Sequence, residues 1–184
     1  MKGAIFTALA EMVEQEFGLE TWDFMLQDSN SDGIYISTDT YEDQEFINLT
    51  LSLHKKTDIP MADINRAFGE YAFPILAASV PELTSDDITL KEFLLNVDRV
   101  IHVEVRKLHP DASLPKFNYD DDAEDELTMH YSSSRKLCMF SEGLISGAAK
   151  HFNTDYTLDH SQCMHDGHDS CTLQLKFHGL KNAA

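Results

Sequence analysis

Positive charge is scarce in this chain: 14 lysines and arginines stand against 32 aspartates and glutamates, for a formal charge of −18. No polybasic run interrupts the acidity, so the field around the protein repels phosphate backbones and anionic lipid, which argues against nucleic acid or a membrane as partner. Long apolar runs are missing too. No 18-residue apolar span occurs, and the start MKGAIFTALAEMVEQEFG has neither a basic leader nor a small-residue cleavage site, which points to a cytoplasmic chain. Cysteine is limited to three, an odd count that cannot close into a disulfide framework and suits thiols used as ligands or redox groups in a reducing compartment. Internal repeats and low-complexity segments are absent. What remains is a chain of 184 residues, able to bury roughly 70% of its unfolded surface around a core.

The periodicity of that core changes along the chain. Ile5, Phe6, Leu9, Met12, Val13 and Phe17 recur at helical spacing and Gly18 follows as a cap, which predicts a first helix. Short helices near 20–28 and 41–54 follow, the latter with Phe46, Leu49 and Leu53 on one side. Pro74 is expected to divide the segment after Pro60 into two pieces. TLKEFLLNVDRVIHVEVRKLHP predicts the strongest helix, with Thr89 and Glu92 in capping-box positions, Leu94, Val97, Ile101, Val105 and Leu108 as its core stripe, and Pro110 as its stop. PDASLPKFNYDDDAEDE then reads as an acidic, proline-punctuated loop. Beyond it ELTMHYSS alternates like a strand, KLCMFSEGLISGAAKHF is helical, and YTLDHSQC and CTLQLKF flank a turn. The fold class is α+β: one domain over 1–184, with a helical lobe over about 1–60 and a lobe of helices and a small antiparallel sheet over about 61–184.

Three groups of residues carry chemistry. In YSSSRKLC, an extended backbone would point Tyr131, Ser133 and Arg135 to one face, a planar guanidinium fork beside hydroxyls that matches carboxylates; a surface strand with an Arg–acid pair is the plainer reading. His102 lies about 100° round its helix from Ile101 and faces a cleft beside the core, as a ligand or as a histidine satisfied by a hydrogen bond. Cys138, His160, Cys163 and Cys171 suit structural zinc, with His165 and His168 as substitutes for His160 and three ordinary thiols as the alternative. His160 and Cys163 would face one site only if a bulge or turn lies between them.

Together, His102 late in a long helix, Pro115 after it, Tyr131, Ser133 and Arg135 beyond, the MKG start and GLISG at 143–147 resemble the haem nitric oxide/oxygen binding (H-NOX) domain along essentially the whole chain. The resemblance implies haem b buried between the lobes, His102 on the iron, Tyr131, Ser133 and Arg135 on the propionates and Pro115 against the porphyrin. It also implies that NO weakens or breaks the iron–histidine bond, freeing His102 and its helix. The distal tyrosine of oxygen-binding members is replaced by Phe140, which carries no donor, so NO and CO are the expected ligands and a stable oxygen complex is not. Ile5, Leu9, Leu76 and Leu144 would complete an apolar pocket. Stand-alone bacterial members imply a histidine kinase or a cyclic-di-GMP enzyme as signalling partner, and some carry zinc of the kind the cysteines suit. Cys138 and Phe140 lie about 200° apart round their helix, so a metal or disulfide on the cysteine side would act on a helix that also lines the gas pocket. A zinc and thiol redox module and, behind it, a zinc hydrolase are the rival readings; otherwise the chain is no enzyme.

Overall fold

A computed structural model describes residues 1–78, 80–85, 87–108 and 113–178, with the backbone alone at 104 and 108. Helices come first: α1 (Gly3–Phe17), α2 (Leu19–Ser29), α3 (Asp43–Thr57) and α4 (Met61–Ala77). Phe6, Leu9, Met12 and Val13 of α1 are buried on one side, and Gly18 ends the helix at φ 84°, a backbone that favours glycine. They pack with Phe46, Leu49 and Leu53 of α3 and with Ile64, Phe68 and Ala72 of α4 in one apolar cluster. Phe73 and Ala77, further along α4, belong to a second cluster, so the change from one to the other falls inside this helix. Pro74 does not divide it. Only one ladder bond is lost there, close to the helix end, and the burial of Phe73 and Ala77 on either side outweighs the break.

The capped helix is interrupted. α5 (Leu90–Asn96) begins on a full capping box, in which the Glu92 amide donates to Thr89 Oγ1 at 3.2 Å and the Thr89 amide to Glu92 Oε2 at 2.8 Å. A π-helical turn at Val97–Ile101 follows, and α6 (His102–Leu108) completes the segment. The extra residue of a π-turn rotates everything after it, which explains why Val97, Ile101 and Val105 are only half-buried while His102, expected one step off the core stripe, is buried. The Leu108 side chain and Pro110 lie outside the described residues.

The expected loop after α6 contains a strand. β1 (Lys116–Asp120) pairs antiparallel with β2 (Glu126–Ser132), which pairs with β4 (Cys171–His178), and β4 with β3 (Asp155–Gln162), in the order β1-β2-β4-β3. Phe117 and Tyr119 share parity and supply the alternation, while the prolines and aspartates around them mask it. Leu127, Met129 and Tyr131 of β2 and Leu173, Leu175 and Phe177 of β4 form the buried face, under Ile145, Ala148 and Ala149 of α7 (Cys138–His151). α4 and α7 cross in backbone contact: a Cβ on Gly143 would stand 2.1 Å from the Arg66 carbonyl oxygen, and one on Gly69 2.2 Å from that of Phe140. Among the described residues, no helix is long and apolar enough to cross a membrane.

Candidate functional site

The π-turn delivers His102 to the sheet. Its residue is 8% exposed, its Nδ1 lies 3.1 Å from Asp98 Oδ1 one helical turn back, and its ring centroid is 6.0 Å from that of Phe117 on β1. Burial holds the imidazole below its usual range, against the pull of Asp98 and a hydrogen bond to the Pro115 backbone. A neutral ring at pH 7 follows, the form that ligates metals. In the sequence Asp98 reads as one ordinary carboxylate four residues before the histidine, and Phe117 lies in a stretch whose prolines and aspartates read as loop.

The Tyr131, Ser133 and Arg135 group is joined, though not by the strand parity expected of it. β2 ends at Ser132; the Arg135 amide donates to Ser133 Oγ at 3.2 Å and Lys136 takes φ 52°, so the last two members sit in a turn whose hydroxyl competes with the ladder. Tyr131 is 1% exposed, its ring is 5.5 Å from Phe117, and its hydroxyl accepts from the Leu137 amide at 2.9 Å. Burial pushes this phenol up to about 12. Arg135 Nε donates to Asp43 Oδ2 at 2.7 Å, across 92 residues, and Asp43 also accepts from the Met1 amino group at 2.9 Å. Burial pushes the Asp43 carboxyl up, but these two cations outweigh it and hold it below the usual carboxylate range.

On the other side of α7, Phe140 stacks on Phe68 at 5.2 Å. Ile5, Leu9 and Leu76 lie in the same cluster as Phe140, whereas Leu144, one turn along, packs against the second cluster. The side chains of these five residues are all hydrocarbon and offer no hydrogen-bond donor.

The three cysteines and one histidine converge. Ligand atoms of Cys138, His160, Cys163 and Cys171 all lie within 4.8 Å of one another. Cys138 Sγ is 3.7 Å and Cys171 Sγ 4.0 Å from Cys163 Sγ, close to the ~3.8 Å edge of a tetrahedron with 2.3 Å zinc–sulfur bonds. The required irregularity is present as a register shift between His160 and Gln162. His165 and His168 stand outside the cluster, with the His165 ring on the Lys136 carbonyl at 2.8 Å.

The family model for haem-NO-binding proteins matches residues 2–160. The chain belongs to the haem-NO-binding family. Solved H-NOX structures agree along its whole length: the Fe(II)NO form from S. oneidensis is 32% identical with a TM-score of 0.90, covering 97% of this chain and all of that one. The unliganded Fe(II) form from K. algicida is also 32% identical, with a TM-score of 0.91 and full coverage of both. The Fe(II)CO form from S. oneidensis has a TM-score of 0.86 at 32% identity, covering 97% of this chain and 99% of that one. No curated protein matches. This H-NOX chain is therefore a haem-based gas-sensing domain and not an enzyme.

Its residues fit that cofactor. Anchoring of Nδ1 by Asp98 would leave Nε2 free to ligate an iron, and Arg135 already grips a carboxylate, the group a propionate presents. The thiol cluster also fits a cation. The Met164 amide donates to Cys171 Sγ at 3.2 Å and the His165 amide to Cys163 Sγ at 3.4 Å, which favours thiolate. Burial pushes the Cys138 and Cys171 thiols up, so a metal ion is what would draw off their protons.

Proposed function

We propose that this H-NOX domain senses nitric oxide and passes the signal to a separate protein, a histidine kinase or a cyclic-di-GMP enzyme. Haem held here would supply a ferrous iron able to bind a diatomic gas. The observation that carries the reading is the buried, neutral imidazole of His102, anchored at Nδ1 and placed beside Pro115 and Phe117. His102 would ligate the iron, Arg135, Tyr131 and Ser133 would hold the propionates, and Pro115 would bear on the macrocycle. A change in what holds His102 would be felt by α6, which the π-turn at Val97–Ile101 separates from α5. Phe140, Ile5, Leu9, Leu76 and Leu144 keep water and donors from the gas. Without a donor, bound oxygen loses a hydrogen bond of about 1.5–3 kcal/mol, on which nitric oxide depends far less.

The test is spectroscopic. Ferrous protein should shift its Soret band with NO and with CO and form no long-lived oxygen complex in air; an oxygen complex stable for hours would overturn the donor-free pocket.

Structural zinc on Cys138, His160, Cys163 and Cys171 is the second part of the proposal. Four protein ligands close the coordination sphere, which leaves a hydrolase without its open position. A redox role is a separate reading, favoured by the 3.7 Å between the Cys138 and Cys163 sulfurs. Peroxide would oxidise that pair to a disulfide and be reduced to water, with release of the metal; zinc retained after peroxide treatment would remove it.

A further inference from the structure

Behind the proposed metal cluster, a chain of charges that neither haem nor gas binding uses runs from a buried carboxylate out to the surface. Glu142 is on α7, one helical turn after Cys138, and is 8% exposed in a stretch otherwise made of small and apolar residues. Its Oε1 lies 2.5 Å from Nδ1 of His160, and its Oε2 accepts from Arg66 Nε at 2.6 Å. Arg66 belongs to α4, 76 residues away, and its Nη1 is also held, 3.0 Å from Asp63 Oδ1. The other nitrogen of His160, Nε2, is buried and has no hydrogen-bond partner. Such an orphan is costly unless something supplies the missing contact, and a ring nitrogen of His160 lies within 4.8 Å of the sulfurs of Cys138, Cys163 and Cys171.

We propose that Glu142 is the positioning residue of this metal site, fixing the His160 ring with Nε2 toward Cys138, Cys163 and Cys171, and that Arg66 fixes Glu142 in turn. The inference rests on the zinc reading above. Its physical basis is that a metal-bound imidazole gives its second N–H to a carboxylate, which sets the tautomer and the ring orientation and raises the basicity of the ligating nitrogen. Here the carboxylate rides on the helix that also carries a metal ligand, and its counter-cation rides on the helix packed against that one in backbone contact. Occupancy of the site is thereby coupled to α4, whose Phe68 stacks on Phe140 on the gas side.

The haem-loaded protein tests this by competition for zinc with a chromophoric chelator, together with the d–d spectrum of the cobalt(II)-substituted site. Glu142→Ala should lower zinc affinity about 10- to 100-fold and shift the cobalt spectrum as the imidazole leaves its geometry, with the Soret band unchanged. Glu142→Gln, whose amide oxygen still accepts from Nδ1–H, should recover part of the loss. Arg66→Met should weaken zinc in the wild-type background but add little to Glu142→Ala, because the two act through one carboxylate. Wild-type zinc affinity and an unchanged cobalt spectrum in Glu142→Ala would overturn the assignment; should that variant not fold, the same outcome in Glu142→Gln and Arg66→Met would. A wild-type protein that takes up no zinc would instead overturn the zinc reading itself.

Discussion

The proposed roles of His102 and Phe140 can each be tested by one substitution. Removing the imidazole in His102→Gly should abolish the five-coordinate ferrous spectrum while leaving part of the haem bound, because Arg135 and Tyr131 do not depend on it. The check is haem stoichiometry, with and without added imidazole, which should restore the spectrum. Adding a hydroxyl in Phe140→Tyr would place a donor where the five side chains proposed to line the pocket supply none. At about 1.5–3 kcal/mol for the new hydrogen bond, oxygen release should slow roughly tenfold to a hundredfold, read by stopped-flow decay of the oxygen complex. The resemblance points to both residues, whereas their neighbours Asp98 and Phe68 are known only from the folded chain, although Asp98 stands one helical turn from His102.

At the scale of elements, the crossing of α4 and α7 lies between the proposed gas pocket and the proposed metal site. Gly143→Ala should force the helices apart, since its Cβ would lie 2.1 Å from the Arg66 carbonyl oxygen and 2.8 Å from the Gly69 Cα, both backbone atoms that cannot step aside. A loss of about 1–3 kcal/mol is expected in thermal unfolding, and the zinc site should weaken with it. Helices α1, α3 and α5 could be read from apolar spacing and a capping box because those signals are local. The π-turn, the unbroken passage through Pro74 and strand β1 could not, because in each case tertiary packing overrides what a short window suggests. The extended reading of 131–135 failed for a local reason: the Ser133 hydroxyl captures the Arg135 amide and turns the chain.

For the whole molecule, the Arg135–Asp43 pair clasps the turn before α7 to the start of α3. Asp43 is held below the usual carboxylate range, so the folded state favours its charged form; the stability it adds is present above the unfolded value near ~3.9 and is lost as pH falls through the folded value. Asp43→Asn should therefore be less stable than wild type at neutral pH and show a smaller further loss in acid, measured by urea unfolding between neutral pH and pH 3. Equal acid sensitivity in the two proteins would mean the clasp contributes nothing to the acid limb.

By itself, the sequence determined the kinds of donor this protein owns and their order: an imidazole late in a helix, a guanidinium beyond a tyrosine, three thiols around a hairpin, an acidic surface. Those properties follow from side-chain chemistry and from the 3.6- and 2-residue periods, which act over a few residues. Only the tertiary structure decided which groups meet. It chose His160 over His165 and His168 through a bulge, brought Asp43 to Arg135 across 92 residues and Arg66 to Glu142 across 76. Contacts of that span arise when helices and a sheet bury their apolar faces against one another, and no local pattern encodes which polar groups that burial will force together.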